Sequence, residues 1–152
     1  MAKRITEWRV ELVKEATKEY QIIKENKANT PDNAVEIANA VLKMDRLPYE
    51  LVAILTVNAK LVVTGVVRVS QGAMNSAVIT PVQVFQPAML KNAHGIIILH
   101  NHPSGDPQPS KEDRKMTNNM VEAGRLLGIQ VLDSIVIGHE NFVSLKKEGM
   151  IE

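Results

Sequence analysis

Gly95-Ile96-Ile97-Ile98-Leu99, ending at His100, is the run that most restricts what this chain can become. An alternating strand can leave one face in water, whereas a strand apolar on both faces needs cover on both. The neighbouring segments can supply it. Thr30-Pro31-Asp32 is a helix start, with a hydroxyl N-cap and Pro at the first helical position. Val35, Ala38, Val41 and Leu42 then form an apolar face ending near Met44, and Pro48 bars a smooth continuation. Leu51 to Val57 reads as a β-branched strand, turned by Asn58-Ala59-Lys60 into a second from Leu61 to Val69. Gln71-Gly72 breaks the pattern, and Ala77 to Thr80 fits a short extended piece. Pro81 opens a helix to about Asn92, and Ser110 to Leu127 is the longest helical pattern, stopped by Gly128. Ile129 to Ile137 is a further strand, and His139-Glu140-Asn141 turns into Phe142-Val143-Ser144. This order predicts an α/β fold, with α/β/α layers around a mixed β-sheet. Residues 31–152 form the expected domain and residues 1–30 an arm of the same unit. Within that arm, residues 5–25 fit a helix or a strand equally.

A chain of 152 residues makes one domain with a real core. Its 18 basic and 17 acidic residues leave a formal charge of +1, which gives no support to nucleic acid as a partner. Two Phe, two Tyr and one Trp are too few for a base-stacking surface. The absence of cysteine removes disulfides, thiolate zinc sites and thiol catalysis together, and fits a reducing cytoplasm. The basic start, Met1 to Trp8, has no apolar signal core, and Ile96 to Leu99 is far short of a membrane span. A cytoplasmic protein with no membrane partner is the expectation.

Chemistry concentrates in Ile98-Leu-His-Asn-His-Pro-Ser-Gly-Asp-Pro-Gln-Pro-Ser-Lys-Glu-Asp113. Residues two apart on a strand or its extended exit point the same way, so His100 and His102 converge while Asn101 points elsewhere. They lie at the carboxyl end of their strand, where open α/β sheets build sites. Pro103, Pro107 and Pro109, with Gly105 among them, restrict the loop, and Asp113 in the next helix can reach back. Two imidazoles and a carboxylate with a fourth position open describe a catalytic zinc site. The plainer alternative is that Ser110-Lys-Glu-Asp113 is a capping box and His-x-His an incidental loop sequence. Ser110 can cap the helix while Asp113 binds metal, so the two are compatible. His94, His139, Asp106 and Glu112 are expected to be solvated or structural. The letters His-Asn-His alone are a weak sign of a nuclease, and a zinc deaminase would need the Cys ligands this chain lacks.

From about Pro48 to Ile151 the sequence resembles the RadC-like branch of the JAB/MPN+ (JAMM) metalloprotease family. Seven residues, Pro103 to Pro109, separate His-x-His from Ser-x-x-Asp, as in that family's motif. The resemblance implies a JAB/MPN, cytidine-deaminase-like architecture with Zn2+ bound by His100, His102 and Asp113. It further implies that Ser110 stabilises an oxyanion and that a glutamate on the first core strand acts as general base. Glu50, ahead of Leu51 to Val57, matches that glutamate, although an acid at a strand entry is ordinarily just solvated. The implied activity is a zinc-dependent metallohydrolase, a peptidase or isopeptidase acting on a peptide or protein. The alternative is a non-catalytic MPN-like module associated with DNA metabolism or a protein partner. Three departures stand out. No helix-hairpin-helix region is recognisable before residue 30, so a short form is expected. Pro81-Val82-Gln83 stands where a basic-acidic pair would follow the Pro, and Leu132-Asp133-Ser134 where a His would follow the Asp. Ser70 to Thr80 is the expected substrate-facing segment.

Overall fold

The computed structural model describes Tyr20, residues 26–72 and residues 79–152. Apart from Tyr20, the ambiguous arm at 5–25 lies outside the described residues, as does most of the segment expected at 70–80. Five strands, β1 (Leu51–Val57), β2 (Val63–Gln71), β3 (Gly95–Asn101), β4 (Gln130–Ile137) and β5 (Phe142–Ser144), form one sheet in the order β2-β1-β3-β4-β5. β1 runs antiparallel to β2 and β3, while β3 and β4 are parallel and joined through a helix. The sheet is therefore mixed, and both β1 and β3 are buried along their whole length.

Helix α1 (Pro31–Leu42) covers one face, where Ala34, Ile37 and Ala38 pack with Leu51, Ala53, Leu55, Ile97 and Leu99. Helices α2 (Pro81–Leu90) and α3 (Lys111–Leu127) cover the other, where Phe85, Met116 and Met120 meet Ile54, Ile96 and Ile98. Period-two alternation along β3 thus serves two separate cores, which is why a run of four aliphatic residues was needed there. The α/β/α layering expected from the element order is the architecture observed.

Boundaries moved where side chains compete with the ladder. The expected second strand began at Leu61, but Asn58 Oδ1 accepts from both Lys60 N (2.9 Å) and Val62 N (3.1 Å). This prolongs the turn through Leu61, at φ 60°, so that β2 starts at Val63. Helix α1 stops at Leu42 because Lys43 turns left-handed, and a short 3-10 turn takes up Met44–Arg46. Thr30, Thr80 and Ser110 are N-caps and Gly128 is a left-handed C-cap.

Gly124 sits where α3 presses on β4 and α2. A Cβ there would run into the Ile129 carbonyl oxygen and lie 3.2 Å from the Phe85 ring. In an exposed helix interior Gly→Ala stabilises by about 1 kcal/mol. Here overpacking against backbone reverses the sign, and Gly124→Ala is expected to destabilise by about 1–3 kcal/mol in urea unfolding. A more stable variant would mean that α3 does not approach β4 this closely.

Candidate metal centre

The site forms where β3 ends. Ile96, Ile98 and His100 share the face covered by α2 and α3, so His100 enters the protein interior and keeps only 3% of its surface exposed. His102 follows two residues later on the same side. Its own N–H donates to Ile137 O on β4 (2.9 Å), which holds the chain extended as it leaves the sheet. The loop then turns at Gly105, whose φ of 87° suits glycine. His139 packs on that turn, exposed and with Nε2 3.2 Å from Pro103 O, within the solvated or structural role expected. Glu112 is exposed, and Asp106 is exposed with its side chain accepting from Gln108 N.

Ser110 and Asp113 close a complete capping box. Ser110 Oγ accepts from Asp113 N (3.0 Å), and Asp113 Oδ2 accepts from Ser110 N (2.8 Å). The cap turns the Asp113 carboxylate back toward the loop and buries it to 1% exposure. Oδ1 comes within 3.1 Å of His100 Nδ1, and Oδ2 within 3.2 Å of His102 Nε2. The two imidazoles meet edge to face with centroids 4.9 Å apart. The capping and site-building roles thus coexist in one side chain.

His102 Nδ1 lies 2.8 Å from the Asp106 carbonyl oxygen. A carbonyl only accepts, so Nδ1 carries the proton, and in a neutral ring Nε2 has a bare lone pair. That lone pair faces a carboxylate oxygen, an arrangement that is attractive only when a proton or a cation lies between them. The same demand is visible nearby. His100 Nδ1, His100 Nε2 and Asp113 Oδ1 are buried with no aligned hydrogen-bond partner among the described residues. One donor atom from each of His100, His102 and Asp113 lies within 4.8 Å of the others, so the group could hold a metal ion. The orphaned donors are those a divalent cation would satisfy.

The charges respond accordingly. The hydrogen bond to Asp113 raises the His102 pKa; burial opposes this and the Asp106 carbonyl reinforces it. Burial pushes Asp113 up, but the two imidazoles and the Ser110 N–H outweigh it and hold the carboxyl well below the usual range.

Glu50 lies immediately before β1. In the β1–β3 register Val52 faces His100, and continuing it sets Glu50 across from His102. Glu50 Oε2 is 3.7 Å from His100 Nε2, with the Glu50 side chain 28% exposed. Glu50, His100, His102 and Asp113 thus stand side by side, and Ser110 adjoins them through its cap with Asp113. Sequence reasoning missed the Asp106 carbonyl, which fixes the His102 tautomer and is invisible because any residue carries that group. It also left Asn101 without a partner.

A family model described as "RadC-like JAB domain" matches residues 28–150, from before α1 to the chain's last turn. The chain belongs to this family. Among curated relatives, a "UPF0758 protein" of Clostridium botulinum (strain Okra / Type B1) is 44% identical over 135 residues, covering 88% of this chain and 58% of the relative. A "UPF0758 protein" of Clostridium beijerinckii (strain ATCC 51743 / NCIMB 8052) is 44% identical over 109 residues, covering 72% of this chain and 48% of the relative. The chain thus spans roughly half the length of these curated relatives. Among the described residues, no helix is long and apolar enough to cross a membrane.

At two of the departures from the expected RadC-like pattern the side chains have structural partners. Gln83 closes the cap of α2, its Oε1 accepting from Thr80 N at 2.8 Å. Ser134 accepts from Thr117 Oγ1 at 2.9 Å, in a buried hydroxyl pair one helical turn beyond Asp113.

Protonation of the metal-free site is linked to stability. His102, raised in the folded state, contributes stability fully present below its ordinary value of 6.5 and lost as pH rises through the raised value. Asp113, lowered, contributes stability present above its ordinary value of 3.8 and lost as pH falls below it. With a chelator present, wild type should exceed His102→Gln in stability most at about pH 5–6, and the gap should shrink toward about pH 9. Denaturant unfolding across pH checks this, and a gap that widens with pH would contradict it.

Proposed function

We propose that the protein is a zinc-dependent metallohydrolase, a peptidase or isopeptidase acting on a peptide or protein. The observation that carries the reading is the set of buried donors on His100 and Asp113 left without an aligned hydrogen-bond partner among the described residues, with Glu50 beside them. His100, His102 and Asp113 would hold the ion. Neutral imidazole and carboxylate donors suit Zn2+, and the absence of thiolates is compatible with a catalytic rather than a purely structural site. When bound, the ion supplies Lewis acidity, polarising a carbonyl and lowering the pKa of water from 15.7 to about 7.

The chain's own residues would then divide the work. The Glu50 carboxylate takes the proton of the attacking water and returns it to the leaving amine. Its partial exposure leaves it open to both water and substrate. Ser110 Oγ accepts in the helix cap through a lone pair, which leaves its proton free to donate to the carbonyl oxygen as negative charge develops there. The Asp106 carbonyl keeps Nε2 of His102 available as a donor to the ion by holding the proton on Nδ1.

Elemental analysis should find about one zinc per chain, lost in His100→Ala/His102→Ala. Absence of stoichiometric zinc from wild type would sink the reading. Glu50→Gln should keep the zinc and lower kcat on linear peptides or lysine-linked isopeptide conjugates by roughly 10²–10⁴-fold. Zinc retained by a wild type that cleaves none of these would favour a metal-stabilised module without catalysis.

Ser110→Ala separates cap from chemistry. Loss of the cap should cost about 1 kcal/mol in unfolding, and loss of the oxyanion donor roughly 10²–10³-fold in kcat. An unchanged kcat would confine Ser110 to capping.

A further inference from the structure

Asn101 is polar, 1% exposed and placed between the two histidines, yet it points away from them. Ile97, Leu99 and Asn101 alternate with the histidine face, so the Asn101 side chain lies on the α1 side of the sheet. There its Oδ1 accepts from Leu51 N at 2.7 Å and its Nδ2 donates to Tyr49 O at 3.0 Å. One primary amide therefore grips the backbone on both sides of Glu50. Glu50's own carbonyl accepts from Gly72 N at 2.8 Å, from the β2 side.

This grip occurs where the β1–β3 ladder ends. The last paired residues are Val52 and His100, so the backbone at Tyr49–Leu51 has no ladder from β3 to hold it. The Asn101 side chain replaces the missing rungs. We infer that Asn101 is a positioning residue, holding the Glu50 backbone so that its carboxylate stands beside His100, an inference that rests on the metallohydrolase reading above. The residue type follows from the two partners. The site needs a donor and an acceptor on one short, planar group, which Asn supplies. Aspartate would accept from Leu51 N but set a carboxylate against Tyr49 O, and alanine would leave both backbone groups unpartnered. The strand that carries His100 and leads into His102 thereby carries the group that fixes the candidate base.

Two measurements test this, one of them free of metal. In the metal-free protein, Asn101→Ala should speed amide hydrogen exchange at Leu51 by at least about tenfold while Ile54 and Ile98 keep their wild-type protection. Unchanged exchange at Leu51, or equal acceleration at all three, overturns the clamp. The second arm uses Co2+, whose visible d–d absorption reports the groups around the ion. Asn101→Ala should bind Co2+ within about threefold of wild type, a difference of about 0.65 kcal/mol. It should shift the d–d band in the direction that Glu50→Gln shifts it, and the double variant should add nothing further. A band moved by Glu50→Gln but not by Asn101→Ala overturns the positioning role and leaves the metal site standing. A band unmoved by either variant overturns it as well. Failure of wild type to bind Co2+ sinks the metal reading itself, and the positioning role with it.

Discussion

Antiparallel pairing of β1 with β3 sets Val52 against His100, and the candidate site depends on that register. Because side chains alternate with a period of two, a slip of one residue would send Glu50 and Val52 to the α1 face and leave His100 facing no acid. The register is secured by the two cores. Ala53, Leu55, Ile97 and Leu99 belong to one, and Val52, Ile54, Ile96 and Ile98 to the other. A slip would exchange these sets between unlike helix layers, so the packing that stabilises the fold also aligns the site.

The second requirement is the capped start of α3. A helix N-terminus needs acceptors for its free N–H groups, and Ser110 and Asp113 supply them reciprocally. The cap fixes where Asp113 points, and that direction is toward two imidazoles. Local helix energetics thereby hold a buried carboxylate in a position that would be costly to maintain without a cation or proton nearby. Burial alone would neutralise the group, but the imidazoles and the Ser110 N–H keep it ionised.

Much of this was legible in the residues. Spacing placed His100 and His102 on one face, Ser110 at a helix cap and Asp113 in its first turn, and all four stand there. The element order gave the layers, and Gly128 ended α3 as expected. The start of β2 was misplaced by two residues because the Asn58 side chain extends its turn, a choice between side chain and ladder that propensity does not decide. Glu50 was found through family resemblance, since an acid before an apolar strand carries no local sign of chemistry.

The sequence by itself determined the layered α/β class and the local convergence of His100, His102 and Asp113, because both follow from periodicity and capping over short spans. Tertiary structure brings Glu50, which only the family resemblance marked, beside them, and it alone decided that Asn101 grips the adjoining backbone from 50 and 52 positions away along the chain. Those contacts pass through strand pairing, and register between distant strands is set by which cores the two faces enter, not by any local pattern.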